Sequence, residues 1–187
     1  MKLNYEKREA KSQGETNALR RAGKIPAILY SSKTEGEKII VDGAQLQGYL
    51  REMKPGRLPT SVFTLNQDGK SRRAVIKDIQ YEPTTYRVSH IDFEELVDGV
   101  TVKVKVPIQC VGVADCAGVK LGGFLRQVIR HVKVECLPKD MPQEFLVDVK
   151  DMGIKQSKKL GDLAVPKGVR LLAPLREVVV TVTRRTT

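Results

Sequence analysis

At 187 residues and 41% hydrophobic composition the chain is long enough to bury a core, and this excludes intrinsic disorder. A formal net charge of +11 and a pI near 9.7 are the electrostatic footprint of a protein that meets polyphosphate. Charged residues from the second position exclude a secretory hydrophobic region, and no apolar run nears the ~18 residues a membrane span needs, so a cytoplasmic protein without membrane contact is expected.

The first 33 positions are basic. Lys7, Arg8, Lys11, Arg20, Arg21, Lys24 and Lys33 gather around a short helix and the strand IPAILY, a surface able to present several cations to phosphates. The helix is expected within 12–23, with Ser12 and Glu15 as a capping box or Thr16 as a later cap, and with Gly23 as its stop. KIIVD (38–42) alternates as a strand. DGAQLQGYLREM (42–53) sets Leu46, Tyr49, Leu50 and Met53 on one helical face, a stripe most simply buried in the core.

Three strands follow in SVFTLN (61–66), RAVIKDIQ (73–80) and YRVSHIDF (86–93). Asp68-Gly69 supplies a two-residue hairpin turn, and Pro83 limits the second strand. GKS at 69–71 resembles the tail of a phosphate-binding loop, but position 64 is Thr and a strand follows, so that motif is rejected. In RVSHIDF, His90 and Asp92 stand two apart and share a strand face, while Val88, Ile91 and Phe93 supply apolar contacts. A metal or hydrolase reading of the pair lacks a third protein ligand.

The acidic, Gly-containing EELVDGV (94–100) suggests a division near residue 96, giving domains 1–96 and 97–187. Both halves share the cation excess, so charge alone does not say which binds. Further strands are expected at TVKVKVPIQC (101–110), HVKVEC (131–136), FLVDV (145–149) and EVVVTVT (177–183). Gly118, Gly122 and Gly123 suit turns or bulges better than a phosphate cradle. Cys110, Cys116 and Cys136 form no C-x-x-C pair, and with His131 they match no common zinc spacing, so they read as reduced, buried small hydrophobes. With two histidines, no G-x-S-x-G and no H-E-x-x-H, the catalytic inventory is thin; no enzyme, metal or cofactor is expected. The fold class is mostly β, a β-rich α+β protein with largely antiparallel strands and short helices.

The ordered set LRRAGKIPAILY (19–30), KDIQYEP (77–83) and HIDF (90–93) resembles the bacterial large-subunit ribosomal protein L twenty-five family. VPIQCVGVADCAGVKLGGFL (106–125), PKDMPQEFLVDV (138–149) and GDLAVPKGV (161–169) look like the second domain of its long form, the general stress protein CTC type. The resemblance spans nearly the whole chain. It implies an N-terminal β-barrel that docks on an irregular internal loop of 5S rRNA, followed by a second β-rich domain held against the same feature. Irregular loops widen a groove that regular A-form RNA keeps too narrow to read.

By the same resemblance Arg8, Arg20, Arg21 and Lys24 contact phosphate and sugar, and Tyr30, Gln80, His90 and Asp92 lie on or beside the RNA-facing sheet; Lys33 joins them from the basic N-terminal cluster. The implied partners are 5S rRNA, the large ribosomal subunit and its neighbouring proteins, with a monomer when free. A rival reading is a tRNA-binding module, because the family's barrel resembles the anticodon-binding part of glutaminyl-tRNA synthetase. The chain departs from the family pattern at Asn17, Ala18, Ser31 and Glu82, which costs cationic contacts, and at Lys155, where glycine is usual.

Overall fold

The computed structural model describes residues 1–9, 12–31, 34–67 and 70–184, and the chain divides into two units, Met1–Val100 and Thr101–Thr187. Alternating apolar residues build six strands in the first: β1 (Lys2–Lys7), β2 (Lys24–Ser31), β3 (Thr34–Asp42), β4 (Val62–Gln67), β5 (Lys70–Tyr81) and β6 (Val88–Glu95). They form a closed barrel in the order β1-β3-β2-β6-β5-β4. Two of its pairings, β1 with β4 and β2 with β6, are parallel and the other four antiparallel. Closure leaves no free sheet edge.

Leu3, Ala27, Ile39, Phe63, Leu65, Ile91 and Phe93 are fully buried inside the barrel. The Phe63 ring meets Phe93 and Tyr49 edge-on, with centroids 6.2 and 6.5 Å apart, a favoured aromatic geometry. Helix α2 (Gly43–Glu52) closes one mouth. Asp42 caps it, its Oδ1 accepting from Ala44 N at 2.8 Å, and Leu46 is buried while Tyr49, Leu50 and Met53 pack on the core. Helix α1 (Gln13–Arg21) buries no side chain; Ser12 caps it through Glu15 N at 3.3 Å, and Gly23 takes φ +77 after it.

The other mouth is closed by charge. Lys7, Glu37, Arg72 and Glu95 occupy inward positions, with Lys7 Nζ 2.5 Å from Glu37 Oε1, Arg72 Nη1 2.9 Å from Glu37 Oε2 and Arg72 Nε 3.9 Å from Glu95 Oε1. Glu37 is held below the usual carboxylate pKa, first by the Lys7 ammonium and then by Arg72, against the opposing effect of burial.

Asp68 and Gly69, read from sequence as a turn, lie outside the described residues. Their flanks pair antiparallel, Gln67 opposite Lys70. Lys70 and Ser71 open strand β5, so no helix follows the GKS sequence.

The second unit contains β7 (Val102–Val111), α3 (Ala117–Lys120), β8 (Gly123–Gln127), β9 (His131–Cys136), β10 (Phe145–Asp148), β11 (Ser157–Lys159), β12 (Val169–Leu171) and β13 (Val178–Arg184). These form a four-stranded sheet, β10-β7-β9-β12, and a three-stranded one, β11-β13-β8. Val102, Val104 and Val106 point inward while Lys103 and Lys105 point out. Cys116 and Cys136 are buried thiols that form no disulfide, Cys116 Sγ lying 3.4 Å from Met152 O. Burial pushes the Cys110 thiol pKa up. A Cβ on Gly118 would stand 2.8 Å from Val182 Cγ1, so this glycine serves close packing. Lys155 adopts φ +65, the left-handed conformation that glycine takes without strain. Among the described residues no helix is long and apolar enough to cross a membrane.

Candidate nucleic-acid interface

Neighbouring strands β2, β6 and β5 bring most of the expected reading residues onto one outer surface of the barrel. His90 lies opposite Gln80, Asp92 opposite Asp78 and Ile28, and Tyr30 opposite Glu94. His90 Nδ1 is 3.0 Å from Asp92 Oδ1, with the side chains 17% and 34% exposed. Donation from Nδ1–H to the carboxylate fixes the ring in orientation, and in the neutral imidazole it makes Nε2 the acceptor.

Alternation alone would place Val88 on this same face, yet it is buried. The register passes from Gln80–His90 to Tyr81–Val88, leaving Ser89 as an extra residue on β6. This bulge turns Val88 inward and lets Ser89 Oγ donate to Gln80 O at 3.2 Å. A second irregularity at Lys77 brings Asp78 opposite Asp92.

The sheet face is rich in acceptors. Burial first, then Glu94, Asp92 and Asp78, raise the Tyr30 pKa above its ordinary value and keep the hydroxyl a donor. Lys77 pairs with Glu94. The cations stand at the rim. Arg20, on the last turn of α1, donates from Nε to Ser89 O at 3.1 Å and from Nη1 to Asn17 Oδ1 at 3.0 Å. Arg20 therefore staples a helix without a buried face to the strand carrying His90. Arg21 beside it is exposed. Lys24 pairs with Glu6 Oε2 at 3.1 Å, and Arg8 Nη1 donates to Thr16 Oγ1 at 3.2 Å.

A groove of about 900 Å³ runs between α1, the start of α2 and the β5–β6 turn, lined by Arg20, Arg21, Lys24, Arg87 and Tyr81. Arg87, Asp78 and Glu94 were absent from the residues singled out in the sequence. The hairpin register carries the signal for Asp78, and nearness to RVSHIDF carries it for Arg87. Lys33, like Lys11, lies outside the described residues.

The surface thus divides its chemistry. Carboxylates, an imidazole nitrogen and an amide can take base amino groups and 2′-hydroxyls, while the arginines beside them suit phosphate. Among the described residues no three His, Cys, Asp or Glu side chains gather to hold a metal.

Residues 3–93 match the family model described as the ribosomal L25p family, and residues 101–186 match that of the ribosomal protein TL5 C-terminal domain. Over 185 residues the chain is 45% identical to the large ribosomal subunit protein bL25 of Chlamydia trachomatis serovar L2, covering 99% of this chain and 100% of that protein. It is 43% identical to the proteins of the same name from Chlamydia abortus and Chlamydia pneumoniae, with the same coverage.

Proposed function

The chain belongs to the bacterial ribosomal L25p family, in the two-domain form with a TL5-type second domain, and from that premise we propose that its first unit anchors it to 5S rRNA. It is a structural protein of the large ribosomal subunit, cytoplasmic with the ribosome, in a family of ribosomal components and not of enzymes. The observation that carries the RNA reading is the His90–Asp92 pair, oriented on an outer strand face beside Gln80 with Arg20 and Arg21 at its edge. In this reading the sheet residues enter the widened groove of an irregular loop, and Arg8, Arg20, Arg21 and Lys24 approach the phosphates that border it. The free protein is a monomer, and its neighbours on the ribosome are other large-subunit components.

His90→Ala and Asp92→Ala test this on isolated 5S rRNA. Each should weaken binding by about 1–3 kcal/mol, because a polar partner is left unmatched at the interface. The double variant should lose less than the sum, since the two side chains touch. Thermal stability should hold, as both lie outside the core. Unfolding without a specific loss of affinity would make the pair a structural bridge and defeat the proposal.

A further inference from the structure

The second unit carries a surface that the 5S rRNA reading does not use. The three strands GFLRQ, SKK and VVVTVTR contain four cations and no carboxylate, of which Lys158 and Arg184 register on the face of Val180 and Val182 and Arg126 on the opposite one. Val180 and Val182 are fully buried on one face of this sheet. On the other, register aligns Ser157, Thr181 and Arg126 in a row across β11, β13 and β8, and sets Thr183 beside Phe124. The Phe124 ring is 64% exposed.

That ring is held on rigid backbone. Gly123 presses so closely on α3 that a Cβ there would stand 2.6 Å from Gly118 O, and Thr183 Oγ1 lies 3.5 Å from Phe124 O. Asp162 and Glu177 lie at the end of the sheet away from Phe124, where Lys159 N donates to Asp162 Oδ2 and Leu160 N to Glu177 O.

We infer that the outer face of β11-β13-β8 is a second RNA contact, on which Phe124 stacks against an unpaired base while Arg126 takes an adjacent phosphate. An exposed aromatic ring gains by covering its flat face, and an unpaired base supplies a plane of matching shape. Here Thr183 lies across from it and Arg126 two residues along the same strand opposite Thr181, and none of the three strands holds a carboxylate to repel phosphate. Such a face suits a base plane, ribose hydroxyls and a backbone negative charge together. The inference goes beyond the reading above, which places RNA contact on the first unit, and its test is independent of it.

The test uses full-length chain carrying Arg21→Ala and Lys24→Ala, which lowers the first unit's contribution to non-specific binding, and a fluorescein-labelled oligoadenylate titrated by anisotropy at graded salt. Phe124→Ala should weaken binding at least about fivefold, the lower bound for losing one stacked base, while Phe124→Trp stays within about twofold. Arg126→Gln should flatten the salt dependence by somewhat under one in log–log slope. Melting temperatures should be unchanged, because both side chains are exposed. Unaltered oligoadenylate affinity in Phe124→Ala overturns the inference. So does a Phe124-dependent cross-link from Lys159 to another ribosomal protein in place of RNA binding. Failure of the 5S rRNA reading has a different signature: Phe124-dependent oligoadenylate binding beside no preference for 5S rRNA, which leaves this inference standing.

Discussion

Arg20 and Arg21 are adjacent in the chain and differ in what they touch. Arg20 gives two of its N–H groups to Ser89 O and Asn17 Oδ1, whereas Arg21 is exposed at the groove. Replacing Arg21 with Ala should flatten the salt dependence of RNA binding by about one in log–log slope and leave stability unchanged. Arg20→Ala should also lose about 0.5–1 kcal/mol of stability, because the staple between α1 and β6 is removed. Urea unfolding beside salt-graded binding separates the two. Equal stability in both variants would remove the structural role from Arg20. The same scale shows what sequence reveals. A spacing of two put His90 and Asp92 together because strand geometry fixes that relation, but Arg20's turn toward Ser89 joins residues distant in the chain and depends on how α1 docks.

Strands with strong alternation, such as HVKVEC and TVKVKV, are legible because buried valines recur at every second position. Strand β1 is not, since KLNYEK offers only Leu3 and Tyr5 and is defined by pairing with β3 and β4. β11 and β12 are three residues each, and their neighbours specify them. Pairing direction is also invisible locally: nothing within IPAILY announces that β2 lies parallel to β6. The charged mouth of the barrel is a tertiary feature of the same kind, assembled from β1, β3, β5 and β6. Glu37 has a folded pKa below its usual 4.5, so its contribution is complete above that pH and disappears as pH falls through the folded value. Glu37→Gln should therefore cost about 1 kcal/mol at neutral pH, and the difference from wild type should shrink in acid. Chemical denaturation at a series of pH values checks this; a difference independent of pH would contradict the ion-pair account.

On the scale of the whole molecule, the first unit owns a closed barrel with an uninterrupted core, and the second has its own sheets and buried valines. Such units are expected to fold separately. The two-part plan is legible in the sequence, because the family's motifs run in order through both halves. The proposed RNA-reading residues lie before Val100, so recognition of 5S rRNA should travel with that fragment, and the second unit should add affinity through its cationic surface. The most direct measurement is the affinity of fragments 1–100 and 101–187 for isolated 5S rRNA, with tRNA as competitor, at near-physiological salt. The account predicts that 1–100 folds, binds 5S rRNA saturably and is not displaced by tRNA. Specific binding by 101–187 alone, or equal competition by tRNA, would contradict it.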